Sequence, residues 1–506
     1  MKKIEIQQLE SKEEWPVKKE NIYFLICSVI LGLLFNLLFF GKPLGLSYPL
    51  YVLALYTVLF WNMRQNQQVK FDWTWLLGIP IIALSCSYFI FSNQLFAALN
   101  FVMIPILFVA HTLLLTSNNR YKWFEFQFLF DILQGFCVRP LTNCLKPFSL
   151  ISKISKPKAI PGKFRVVGKV LVGLLLTIPL LIVIVPLLAS ADDVFRNFVE
   201  LIPNIFQTIN INEFVARVLI VTIVACLVFS YLWSLFVSKT ALTGAVSNTN
   251  SLNKPGPFLD PITVTTILVL IDVLYIFFIA IQFSYLFGSL QSGLPDNFTY
   301  AQYARKGFFE LVVVTLINLV ILLGNMNFVK ESGSLLGKVV KVLNTVLVVS
   351  TIIMLLSAHF RMYLYEEAYG FTYLRVLTHA FMVYLFVLFI VTLSKIWHQA
   401  LPLLKSYIVI SIVAYTLVNY INIDSLIAKN NIERYNKGNP IDIMYLTQLS
   451  YEAVPQLVDF MHSTSNQALA KQLENELKYK KQVLEKETPW QSFNISKYRA
   501  RLAWFK

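Results

Sequence analysis

Charge is what this chain of 506 residues has least of: Asp, Glu, Lys and Arg together make up 14% of it, against about 25% in a typical soluble domain. With 57% hydrophobic and 15% aromatic residues beside them, lipid rather than water is the expected solvent for most of the chain. Catalytic signatures are also missing. The sequence holds no His-Glu-x-x-His, no Gly-x-Ser-x-Gly, no Walker loop and no dinucleotide glycine fingerprint, so the common metallopeptidase, serine-hydrolase, nucleotide and nicotinamide chemistries have no recognisable carrier.

Cysteine offers no framework either. Cys27, Cys86 and Cys226 fall inside apolar runs, while Cys137 and Cys144 stand in a basic loop at a spacing unlike a redox or zinc pair, so neither external disulfides nor a metal knuckle is expected. The five histidines, His111, His359, His379, His398 and His462, are dispersed. Adjacent Asp192 and Asp193 would point apart in regular structure. The sequence therefore implies no metal and no cofactor.

Long apolar runs are what the chain does have. A spanning helix needs roughly 20 apolar residues, and about eleven such segments follow one another: Ile22–Phe40, Tyr48–Asn62, Trp73–Phe91, Leu95–Thr116, Val167–Ala189, Phe214–Val237, Ile262–Leu286, Phe308–Asn327, Val342–Ala358, Val376–Ser394 and Ser406–Tyr420. The expected fold is an all-α polytopic transmembrane bundle with a small extracytoplasmic helical region at its end. Five segments follow: a cytoplasmic tail 1–20, the first four spans 21–116, a basic amphipathic connector 117–166, the main bundle 167–420 and a helical tail 421–506. No small-residue cleavage site follows the first run, so it reads as a retained helix.

The net charge of +15 would point to nucleic acid in a soluble protein. Here Lys and Arg crowd the loops on one side, among them Arg64, Arg120, Lys122, Arg139, Lys146, Lys163, Lys239, Lys338, Lys341, Lys395 and Lys405, with few on the other. That asymmetry sets the N-terminus in the cytoplasm and the C-terminus outside, as in a bacterial inner membrane, and removes nucleic acid as a partner.

Three stretches are not simple loops. Tyr121–Lys163 fits a helix in the cytoplasmic interface or a partial, re-entrant span. Asp192–Asn212 carries Phe195, Phe198, Leu201, Ile202 and Ile205 at near-helical spacing, as a short outer-face helix would. Beyond Tyr420 the helical periodicity of Leu426, Ile427 and Ile432, a Gly438-Asn439-Pro440 turn, and Leu446 and Leu449 read as a few helices too small to stand alone, which must dock on the membrane part. At the end, Trp490, Phe493, Tyr498, Leu502, Trp504 and Phe505 alternate with Lys497, Arg499, Arg501 and Lys506. This pattern fits an interfacial anchor or a segment docked on the protein's own spans.

Ionisable groups at membrane depth are costly and face interiors or water. Asp272 is the clearest, near the middle of its run, either as a proton or cation site, or paired with a buried polar group such as Asn318 or Asn325, or kept protonated by desolvation. Arg305 and Glu310 at one outer entrance, and Arg361, Glu366, Glu367 and Arg375 at the next, are candidates for a charged vestibule. Ordinary interfacial ion pairs are the competing reading.

The string Tyr303-Ala304-Arg305-Lys306-Gly307-Phe308-Phe309-Glu310-Leu311, with Ala191-Asp192-Asp193-Val194-Phe195, Arg361-Met362-Tyr363-Leu364-Tyr365, Tyr369-Gly370-Phe371-Thr372 and Asn430-Asn431-Ile432-Glu433-Arg434-Tyr435, resembles a bacterial multi-pass membrane family, domain of unknown function forty-one seventy-three. The resemblance runs from about Val167 to the end and implies no activity or catalytic residue. Three functions then fit: a non-enzymatic envelope component binding a small polar ligand or an extracytoplasmic protein, an ion-coupled permease using Asp272, and a transferase for lipid-linked substrates with Glu310 or Glu367 as base.

Overall fold

A computed structural model of the chain describes residues 19–65, 72–154, 211–237, 259–292, 308–328, 335–398 and 400–505, with isolated positions between 177 and 195. Their regular structure is helical, because a chain in hydrocarbon has no water to bond its peptide groups and must satisfy them within each helix. In chain order these are α1 (Lys19–Phe39), α2 (Ser47–Gln65), α3 (Gly78–Ile90), α4 (Gln94–Leu115), α5 (Phe128–Leu133), α6 (Arg139–Thr142), α7 (Lys146–Ile154), α8 (Ile211–Phe236), α9 (Pro261–Ser292), α10 (Phe308–Phe328), α11 (Leu335–Tyr369), α12 (Tyr373–Trp397), α13 (Leu403–Tyr420), α14 (Ile423–Asn436), α15 (Ile443–Gln448), α16 (Val454–Ser463), α17 (Gln467–Glu485) and α18 (Ile495–Trp504).

Eight segments among the described residues are long and apolar enough to cross a membrane: Asn21–Phe39, Trp73–Ile90, Gln94–Leu115, Glu213–Phe236, Pro261–Gln282, Leu335–Tyr369, Tyr373–Trp397 and Leu403–Tyr420. The protein is thus an all-helical, multi-pass membrane protein. Helices α2 and α10 fill two further expected runs, while Val167–Ala189, the helix expected over Asp192–Asn212, Arg305 and Lys306 fall wholly or largely outside the described residues. One boundary differs markedly from expectation. Helix α11 has 35 residues, about 50 Å at 1.5 Å each, whereas the apolar run Val342–Ala358 covers only its middle, so its last turns, Arg361 to Tyr369, run on past the length that a core about 30 Å thick accommodates.

The described residues form two compact units, drawn from Met1–Phe89, Phe101–Val246 and Pro489–Ser492, and from Ile90–Asn100, Ser247–Thr488 and Phe493–Lys506. In the first, α1 packs along α8, and Gly32 lets them meet: a Cβ there would stand 2.6 Å from the Val221 carbonyl oxygen. Phe24, Phe229, Trp233 and Leu150 fill the core beside this crossing. The connector folds as α5, a π turn at Gln134–Val138, α6 and α7. Asp131 anchors it by accepting the backbone N–H groups of Arg120 and Tyr121 at 2.7 and 3.0 Å, and Phe130, Leu133, Phe136 and Leu141 lie exposed.

In the second unit α9, α10, α11 and α12 share an aliphatic core built on Leu268, Leu322, Leu347, Val348 and Phe389. A second layer, Leu311, Met354, Leu355, Ala358, Met382 and Leu385, continues it. The C-terminal tail folds as α14 to α18. Four of its helices open on the residue type that caps best: Asn422, Asp442, Asn466 and Asn494 each accept a backbone N–H three residues on. Its core of Ile427, Leu446, Leu457, Phe460, Leu473 and Leu477 includes Phe96 and packs on Phe371, Tyr373, Val376 and Val418, so the tail is docked, as its small size demands.

Candidate functional site

Helices α11 and α12 form an antiparallel hairpin turned at Gly370, whose φ of +85° is open only to glycine at little cost. His359 and Glu366 are seven residues, about two turns, apart and so share the α11 face that meets α12. There His379 joins them. Its Nδ1 lies 2.9 Å from His359 Nδ1 and its Nε2 3.1 Å from Glu366 Oε2, although the ring N–H is not aimed squarely enough at that oxygen to count as a hydrogen bond. Glu366 is only 4% exposed, and its other oxygen, Oε1, has no hydrogen-bond partner. A buried carboxylate oxygen left bare costs about 1–3 kcal/mol or more. The same two helices carry the apolar layer of Met354, Ala358, Met362 and Met382.

The other expected site residues have different placements. Arg375 donates to the Gly370 carbonyl and lies 4.1 Å above the Tyr365 ring. Arg434, from the tail, donates to the Glu367 carbonyl at 2.8 and 3.1 Å and to that of Ala368 at 3.0 Å. Both cations therefore serve the open carbonyls and negative dipole end of α11. The Glu367 side chain is exposed, Arg361 is half-buried on α11, and Glu310 is exposed at the start of α10. Arg305 lies outside the described residues.

Asp272, on α9, is 3% exposed, and neither carboxylate oxygen has a hydrogen-bond partner. The asparagines expected to pair with it are engaged elsewhere: Asn318 accepts from the Tyr275 hydroxyl at 2.8 Å and donates to Thr351 at 2.9 Å, and Asn325 donates to Asn344 at 3.1 Å. One turn along α9, Ile276, Ile279 and Ala280 face Val346, Val349 and Ile353 of α11 across a cavity of about 440 Å³. Apart from Thr345 and Ser350 its lining is aliphatic, so it offers a polar ligand little to bind.

A second polar cluster fastens the tail. Glu452 accepts from the Ser92 backbone N–H, from its hydroxyl at 2.9 Å and from Ser450. Asp424 accepts from Asn93 at 2.5 Å and from the Ser450 N–H at 3.3 Å. Burial pushes the Asp424 carboxyl up, against the pull of these hydrogen bonds. Facing both acids, Lys480 is pushed down to about 8 by burial, which the two carboxylates oppose, and Lys497 is lowered for the same first reason.

Among the described residues no group of three or more His, Cys, Asp or Glu converges on a metal position. His379 turns its two nitrogens to different partners, which makes the trio a chain of contacts rather than a cage. Sequence reading missed His379, Asp424, Glu452 and Lys480 as site residues. Glu366 and His379 are thirteen positions apart with a turn between them, so no local spacing announces the pair; only an acid and a histidine flanking a Gly-containing turn between two apolar runs hinted at it.

The profile described as "Domain of unknown function (DUF4153)" matches residues 78–460. No curated protein and no solved structure matches the chain. The resemblance drawn from the sequence, to a multi-pass family of unknown function, is right in kind, but the matching designation is DUF4153 rather than forty-one seventy-three, and the match begins well before Val167 and stops short of the last helices. The chain belongs to the DUF4153 family.

Proposed function

We propose that this protein is a non-enzymatic envelope component that binds a small polar ligand at the His359–His379–Glu366 cluster, on the extracytoplasmic side. The observation that carries the reading is the bare Oε1 of buried Glu366 beside a histidine pair: a ligand donor supplies the partner that the protein does not. The sidedness rests on charge. In the second unit the tail meets the chain at Ile90–Asn93, Glu367–Tyr373 and Asn419–Asn422, while Lys338, Lys341, Lys395 and Lys405 stand at the opposite ends of α11, α12 and α13. Positive ends stay in the cytoplasm, which puts the tail and the cluster outside.

The test is a thermal-shift series on the full chain in lipid nanodiscs against amines, amino acids, short carboxylates and sugars. At least one compound raises the Tm of the wild type and fails to raise that of Glu366→Gln. If none does, or if the gain survives the substitution, the assignment is wrong. A reporter fused after Tyr420 checks the sidedness, since a cytosolic signal contradicts it.

A permease is the second reading, favoured by one observation: a carboxylate at membrane depth, 3% exposed, with both oxygens unpaired. An ionisable group kept at membrane depth is costly, and ion and proton pathways are lined by such groups.

A further inference from the structure

We propose that α18 is a lipid-binding surface: it lies in the membrane–water interface and takes the headgroups of anionic phospholipid. Three observations converge on it. Tyr498, Leu502 and Phe505 recur at i, i+4 and i+7, so they line one stripe of the helix, and all three are open, at 51%, 43% and 52% exposure. Arg501 and Arg499, both exposed, border that stripe on its two sides, as the helical advance of 100° per residue places them. The opposite face is already occupied: Ala500 is buried with Val454, Val458 and Leu484, and Trp504 packs against that cluster.

The helix is also held at the right depth. Asn494, its N-cap, donates through Nδ2 to the Phe91 carbonyl at 2.7 Å, and the Ser496 hydroxyl donates to the Ile90 carbonyl at 2.8 Å. Ile90 is the last residue of the span Trp73–Ile90. Helix α18 therefore starts where an apolar span gives way to polar surroundings, which is the level of the headgroups. An apolar stripe bordered by arginines at that level matches an acyl boundary flanked by phosphates, and the guanidinium fork suits a phosphodiester. A protein partner in water would not require the depth, and a second copy of this chain would bring its own arginines against these.

The experiment uses the full chain reconstituted in phosphatidylcholine vesicles with or without phosphatidylglycerol, each carrying a trace of phospholipid with a photoreactive diazirine near its headgroup. Adducts are mapped by mass spectrometry, with labelling of the spans as the internal reference. We expect adducts on the peptide Tyr498–Phe505, stronger with phosphatidylglycerol, and a fall of about fivefold for each arginine removed in Arg499→Gln/Arg501→Gln. Leu502→Ser/Phe505→Ser should abolish them; if that variant fails to fold, the arginine pair, on exposed positions, decides alone. An unlabelled α18 beside labelled spans, labelling indifferent to phosphatidylglycerol, or α18 crosslinked to another chain overturns the proposal.

Discussion

His359 and His379 face each other across the α11–α12 hairpin with their Nδ1 atoms 2.9 Å apart, so one imidazole must donate and the other accept. If His359 donates, His379 keeps its proton on Nε2, next to Glu366 Oε2 at 3.1 Å. The free oxygen Oε1 of Glu366 is then the acceptor offered to a ligand.

That arrangement separates shape from charge at position 366. Glu366→Ala strips the shielded Nε2 of half-buried His379 of its neighbour and should lower stability by about 1–3 kcal/mol, read as a fall in Tm in nanodiscs. Glu366→Gln keeps the volume and should cost less while removing ligand-induced stabilisation. Equal losses in both would mean that the residue only packs.

The turn after α11 predicts a strong backbone effect. Asn431 accepts the Phe371 N–H at 3.0 Å and donates to the Phe371 carbonyl at 2.8 Å, acting as a paired strand would. A Cβ on Gly370 would stand 2.5 Å from Asn431 Oδ1, at a φ of +85°. Gly370→Ala should therefore cost about 1–3 kcal/mol, and Asn431→Ala a similar amount. Hydrogen exchange at Phe371 should quicken in both, with little change in α1 or α8.

The tail's stability should depend on pH in an alkaline window. Docked Lys480 titrates at about 8 against an ordinary 10.5, so between these values the undocked tail binds more protons and stability rises with pH. Asp424, raised above 3.8 by burial, acts in the acid range, where stability falls as pH rises from 3.8 through its docked value. Urea titration of tail undocking in the full chain should show a midpoint climbing from pH 8 towards 10, and Lys480→Met should flatten that climb.

Asp272 supplies the test of transport. If its unpaired carboxylate couples ion and substrate movement, Asp272→Asn should abolish flux in reconstituted vesicles while leaving Tm almost unchanged, because no hydrogen bond is lost. Undiminished flux removes Asp272 from any mechanism.

The sequence announced the helices because hydropathy is local: each run of apolar residues, such as Phe214–Val237 against the observed α8, signals its own solvent. It announced Asp272 for the same reason, as one acid among aliphatic neighbours. The tail's helices were readable from the periodicity of Leu426, Ile427 and Ile432 and from the Gly438 turn, whereas their caps emerged only in the structure. The length of α11 was less so, since its polar last turns carry no hydropathy signal and are kept helical by Arg434 and Arg375 at its open end.

Composition alone decided that this chain lives in lipid, that it is helical, and that its tail must lean on something larger, because the transfer of apolar groups out of water is a sum over residues. Tertiary structure alone decided that Arg375 serves a helix end, that Asn318 belongs to Tyr275 rather than to Asp272, and that His379 meets Glu366. Those pairings depend on which faces of separate helices come together, and a contact between distant positions leaves no trace in the neighbourhood of either.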